Sequence, residues 1–140
     1  MKALHLLIVL CCLFGITAAT LAYGEHYNTS PSPCQINAVW DCGIVNHSHY
    51  AVVGGVPVAL IGVLGYAVLI AVVGRLPWLA FGGALAGFLF SLRYSYLEWK
   101  VLQTWCLYCA LSQIAIALVT LLTLLAALRA RHPAGPRAPG

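Results

Sequence analysis

Charge is the scarcest thing in this sequence. Of 140 residues only 7% are charged, three acidic and seven basic, against 62% hydrophobic. A soluble globule carries about 25% charged residues. So little charge cannot cover a water-facing surface, which excludes a soluble domain and makes lipid the expected solvent. The net charge of +4 does not point to nucleic acid, because Lys and Arg form no long cluster. Strict apolar–polar alternation is also missing, which removes a membrane β-barrel from consideration. No internal repeat is evident.

What is present is long apolar sequence. Four stretches approach or reach the roughly 20 residues that a helix needs to cross a bilayer: residues 3–23, 56–73, 77–97 and 105–128. Only Gly74-Arg75-Leu76 separates the second from the third, as in a tight turn between antiparallel helices. Backbone polar groups in lipid must be satisfied within each segment, which favours helices. The expected fold is therefore an all-α integral membrane protein, a four-transmembrane-helix bundle with an external loop over residues 24–55. Residues 1–128 form the membrane domain, and the Pro-, Gly- and Arg-rich residues 129–140 form a disordered cytoplasmic tail. With four spans, Lys2, Arg75, Arg129, Arg131 and Arg137 share one side, the cytoplasm by the positive-inside rule. Glu25, Asp41, Glu98 and Lys100 fall on the other, among interfacial aromatics such as Trp99 and Trp105. The first span also has the character of a secretory signal, with small residues near Thr20-Leu21-Ala22; it is read as a retained span. Gly83-Ala84-Leu85-Ala86-Gly87 in the third offers a small-residue face, expected to pack within the chain.

Six cysteines admit a disulfide framework, a metal site or a redox relay. Cys106-Leu107-Tyr108-Cys109 puts two thiols on one helix face at the external start of the fourth span. A helix N-terminus favours thiolate, so Cys106 is expected to be the more acidic. Cys34 and Cys42 sit in the external loop on the same side of the membrane. Four thiols so arranged permit relay by thiol–disulfide exchange. A static Cys34–Cys42 staple is the plainer alternative. Zinc would need a second tight ligand pair, and His47 and His49 do not supply one. Adjacent Cys11 and Cys12 read as apolar filler.

The loop pair, then Ser48, then Gly55-Val56-Pro57-Val58-Ala59-Leu60-Ile61-Gly62 with Tyr66, then Tyr96-Leu97 and Trp105-Cys106-Leu107-Tyr108-Cys109, resemble the vitamin K epoxide reductase family in its bacterial form, over residues 5–128. The order, wide pair first and CxxC second, is the reverse of that in the functionally analogous DsbB family. The resemblance implies a four-helix bundle around a quinone, capped by the cysteine loop. It implies that Cys106 and Cys109 form the active-site disulfide, with Cys109 facing the quinone. Cys34 and Cys42 would be the shuttle pair, Cys42 reaching Cys106 and Cys34 meeting an outside thiol. It places Ser48, Val58, Ile61, Gly62 and Gln113 at the quinone. Two positions depart from the family pattern: Val58 stands where many relatives have Asn, and Gln113 where animal relatives have Tyr. The expectation is therefore a membrane thiol–disulfide oxidoreductase that reduces ubiquinone or menaquinone rather than vitamin K epoxide. Its thiol donor would be a separate periplasmic thioredoxin-like (DsbA-like) protein, it would use no metal, and it would sit in a bacterial inner membrane. Animal-type epoxide recycling and a non-catalytic tetraspan protein with structural disulfides are the rival readings.

Overall fold

The computed structural model describes residues 2–132. Four long helices make its body: α1 (Lys2–Tyr27), α3 (Val58–Val73), α4 (Pro77–Leu97) and α5 (Leu107–Arg131), with a short α2 (Cys42–His47) in the loop after α1. α1 packs on α3 and α5, and α4 packs on the same two, which closes a ring of four.

Each helix buries a narrow stripe. On α1 it runs Ile8, Cys12, Gly15, Ala18, Ala19, Ala22 and Glu25; on α5, Ala115, Ile116, Val119, Thr120, Thr123, Ala126 and Ala127. Spacings of three and four keep each set on one face. The small side chains let the helix backbones approach closely. Tyr66 of α3 lies directly over Gly15, where a Cβ would overlap its ring. The expected small-residue face of α4 packs inside the chain: Ala80 and Ala84 are fully buried, Gly83 faces Leu69 and Gly87 faces Ile116. The outward faces are apolar, with Leu10, Phe14, Leu64, Val68, Leu89 and Leu121 all exposed. Thr17, Thr20, Thr120 and Thr123 return their hydroxyls to carbonyls four residues back. An apolar exterior with internally satisfied polar groups is what lipid demands.

By length and composition two of these helices, α1 and α5, suffice to cross a membrane; α3 is apolar over 16 residues. At 1.5 Å per residue such a helix reaches roughly 24 Å, short of a hydrocarbon core of about 30 Å.

The boundaries differ from expectation where polar contacts decide them. α1 continues to Tyr27, so the loop starts later than residue 24. α3 starts at Val58 rather than 56, because Val56–Pro57 pairs antiparallel with Val52–Val53. That hairpin turns through Gly54 and Gly55, both at positive φ, as a two-residue hairpin turn requires. α5 runs through Arg131, so residues 129–131 of the expected tail are helical. Residues 133–140 lie outside the described residues.

The two ends of the bundle differ in charge. The start of α1, the α3–α4 turn and the end of α5 lie together: His5 abuts Gly74, and the Arg131 guanidinium lies 5.2 Å from the Trp78 ring centre. Lys2, Arg75, Arg129 and Arg131 collect at this end. The cysteine loop caps the other.

Candidate redox site

The loop after α1 is held by short-range hydrogen bonds. Asn37 Oδ1 accepts the backbone N–H groups of Val39 (2.8 Å) and Trp40 (3.0 Å). The strand-like segment this creates pairs in parallel with the chain just before α5. Trp105 N–H donates to Val39 O at 2.7 Å, Asp41 N–H donates to Trp105 O at 3.0 Å, and the Trp40 and Trp105 rings lie 6.4 Å apart. Asp41 then caps α2 by accepting the Ile44 N–H at 3.2 Å. This sets Cys42 at the first position of α2, disulfide-bonded to Cys34, with Cα atoms 5.6 Å apart.

The loop and the CxxC segment meet at sulfur. Cys106 is a free thiol at the N-cap of α5, and its Sγ lies 3.1 Å from Cys42 Sγ. The sulfurs of Cys34, Cys42 and Cys106 all fall within 4.8 Å of one another. Two of the three are tied in a disulfide and are not thiolates, the form in which a metal would bind them. Asn46 Nδ2 donates to Cys106 Sγ (3.4 Å) and to Cys42 O (2.9 Å), and Cys109 N–H donates to Cys106 Sγ at 3.3 Å. All three cysteines are buried; Cys34 is only 1% exposed.

These contacts set the local electrostatics. The Cys106 thiol is held below its ordinary range, first by the hydrogen bond from the Cys109 thiol, and also by the Cys109 and Asn46 N–H donors, against burial and the Glu98 charge. Cys106 was expected to be the more acidic thiol because of the helix N-terminus; the Cys109 N–H in the first turn of α5 is one of its donors, joined by the Cys109 thiol and Asn46. Glu98 opens a π turn, Glu98–Leu102, that prolongs α4. It lies at the end of the bundle opposite the basic residues, where it is only 4% exposed. Burial pushes its carboxyl up to about 7, although the Cys106 N–H donated to Oε2 (3.2 Å) works in the opposite direction. Glu25, expected on that same side of the membrane, is buried as well.

Beside Cys109 opens an apolar cavity of about 700 Å³ between α3, α4 and α5. Ser48, Val58, Ile61, Gly62 and Gln113 all line it, with Glu98 and Cys109 at one wall. Gln113 Oε1 accepts the Ser95 hydroxyl, and Ser48 gives its own to Val45 O at 2.7 Å.

In sequence, residues 6–124 match the profile of the vitamin K epoxide reductase family. The chain belongs to that family. No curated protein matches it. Family membership and the two apolar helices make it a membrane protein and an oxidoreductase.

The family uses quinones, and the cavity can be tested for that fit. Its volume lies within the roughly 300–1,000 Å³ typical of small-molecule sites. Its walls are mostly apolar, and few polar atoms reach it, as a flat, weakly hydrogen-bonding ring requires. Ser48, Val58, Ile61, Gly62 and Gln113 would hold such a ring against Cys109. Asn46, Glu98 and the Trp40–Trp105 pairing also shape the site, and sequence reasoning gave them no role. One signal was available for Glu98: a carboxylate eight residues before Cys106 in a chain with three acidic groups.

Proposed function

We propose that this chain is a membrane thiol–disulfide:quinone oxidoreductase that reoxidises a separate extracytoplasmic thioredoxin-like protein and passes the electrons to ubiquinone or menaquinone, supporting disulfide formation outside the cytoplasm. The observation that carries this reading is the 3.1 Å contact between the free Cys106 thiol and Cys42 of the Cys34–Cys42 disulfide, beside an apolar cavity lined by Cys109. A purely structural disulfide has no use for a free, acidified thiol at bonding approach. Four crossings fit the basic residues gathered at one end, which would face the cytoplasm.

The arrangement corresponds to one stage of a balanced cycle. A partner dithiol attacks the Cys34–Cys42 disulfide; the partner closes its own disulfide, leaving two thiols here. The Cys42 thiolate attacks Cys106 of a Cys106–Cys109 disulfide, Cys109 leaves as thiolate, and Cys34 resolves the mixed bond. That restores Cys34–Cys42 and leaves Cys106 and Cys109 reduced, as the structure has them. The quinone supplies a two-electron, two-proton sink. Closing Cys106–Cys109 releases two electrons and two protons, and the relay is reset. Around the site, Asn46 and the Cys109 N–H donate to Cys106 Sγ, which eases loss of its proton, and the apolar walls exclude water.

Cys109→Ser tests the assignment. It should abolish quinone reduction driven by a dithiol and leave Cys106 free to accumulate a Cys42–Cys106 bond, visible as a cross-linked peptide in non-reducing mass spectrometry. Retained activity with only Cys34–Cys42 present would overturn it.

A further inference from the structure

Glu98 is a buried ionisable group to which the cycle above gives no part. It lies at the junction of the three features the reaction needs. Its Oε2 accepts the backbone N–H of Cys106 at 3.2 Å. Its side chain lines the same cavity as Cys109. It also begins the π turn that ends at Gln103, a non-glycine residue at φ 52°. π turns and left-handed non-glycine residues both carry a conformational cost and concentrate at functional sites. Here they bring the chain from the end of α4 back under the first turn of α5. Thr104 N–H donates to the backbone carbonyl of Glu98 at 3.2 Å, which closes the loop, while the carboxylate itself is held by the Cys106 N–H.

We propose that Glu98 is the proton acceptor of the thiol pair: its carboxylate takes a proton released as Cys106 and Cys109 close to a disulfide, and gives it up to the reduced quinone in the cavity. This rests on the quinone reading of the cavity. The balance is complete. Two thiols lose two electrons and two protons, the quinone gains the same, and Glu98 ends as it began. A proton acceptor works best when it titrates near the operating pH, and burial brings Glu98 to about 7.

Among the described residues, the titratable groups around it are few. Cys106 at the N-cap of α5 touches it, and Cys109 and Tyr108 of α5, Tyr94 of α4, Tyr66 of α3 and Tyr50 of the loop line the same cavity. From α2, Cys42 is tied in the disulfide, and His47 stacks on His26 with ring centres 6.4 Å apart. Lys100, on the same turn, lies over the Trp99 ring at 4.1 Å. Arg93 bears on Tyr94. None of these cations forms an ion pair with Glu98.

Glu98→Gln keeps an oxygen to accept the Cys106 N–H but cannot take a proton. The full chain in lipid nanodiscs, given a dithiol and a short-chain ubiquinone, should show kcat rising as pH passes through about 7. Glu98→Gln should lower kcat roughly a hundredfold and lose that rise, and Glu98→Asp should restore part of both. Infrared titration of the wild type, without quinone, should show a carboxyl band lost near the same pH and missing from Glu98→Gln. A wild type with no rise and no such band would overturn the proposal, even if Glu98→Gln fails to fold. So would a folded Glu98→Gln that keeps the pH rise. A wild type that reduces no quinone at all would instead remove the reading on which the proposal rests.

Discussion

At the scale of single residues, burial decides which polar group matters. The same Glu98 that is unremarkable in the sequence becomes, at 4% exposure, the one carboxylate beside Cys106. Its carboxyl is raised from 4.5 to about 7 by burial, so the folded chain holds the proton more tightly than the unfolded one. Stability from this group is fully present below the unfolded value of 4.5 and is lost as pH rises to about 7. The loss is on the order of 3 kcal/mol at alkaline pH. Thermal unfolding in detergent should show a wild-type midpoint that falls between pH 5 and pH 8, and Glu98→Gln should flatten that fall. Val58 makes a second residue-scale prediction. Epoxide opening needs a proton delivered to a poor leaving oxygen, and an apolar side chain on the cavity wall supplies none. Wild type should therefore reduce a short-chain quinone far faster than vitamin K epoxide, and Val58→Asn should raise whatever epoxide rate exists. Comparable wild-type rates on both substrates would show that Val58 does not set this preference.

At the scale of elements, two contacts decide how helices and loop sit. Tyr66 fills the gap over Gly15, and its hydroxyl is anchored by donating to Ser112 O at 2.6 Å, so the ring cannot retreat. Gly15→Ala should destabilise by about 1–3 kcal/mol through overpacking, more than the roughly 1 kcal/mol gained in helix propensity. Gly24→Ala, in the same helix with open space around it, should stabilise by about that propensity gain. Opposite signs for two chemically identical changes in α1 are easily read from melting curves. The second contact is the Trp40–Trp105 pairing, which ties the cysteine loop to the chain before α5. Trp105→Ala removes aromatic packing of about 0.5–1.5 kcal/mol and should let the loop open more often. Reduction of Cys34–Cys42 by a small dithiol should then speed up severalfold, followed by alkylation and mass spectrometry. An unchanged rate would mean that Cys34 is reached by another route.

At the scale of the whole molecule, the asymmetry of the two ends carries the topology. Lys2, Arg75, Arg129 and Arg131 gather at one end and the sulfur cluster caps the other. A reporter fused after residue 76 should read cytoplasmic and one inserted near Ser30 should read external. The reverse result would put the cysteines in a reducing compartment, where the proposed cycle could not run. Polar groups inside the bundle are satisfied within the chain: among the described residues no buried side-chain nitrogen or oxygen lacks a partner.

Composition alone determined that lipid is the solvent, since 7% charge cannot solvate a surface. Apolar run length gave the four long helices to within a few residues, because a helix in lipid ends where its apolar sequence ends. The boundaries it missed, at Tyr27, Val58 and Arg131, are set by pairing and continued hydrogen bonding that hydropathy does not register. The four cysteines stand out by spacing, and the resemblance implies a role for each. Only the tertiary structure brought Cys42 to 3.1 Å from Cys106 across 64 residues of sequence. It alone buried Glu98 beside Cys106, and it gave a shape and volume to the cavity at which the resemblance had set Val58, Gln113 and Cys109. Those are long-range contacts, fixed by how four helix faces and one strapped loop close on each other, and no local pattern in the chain encodes them.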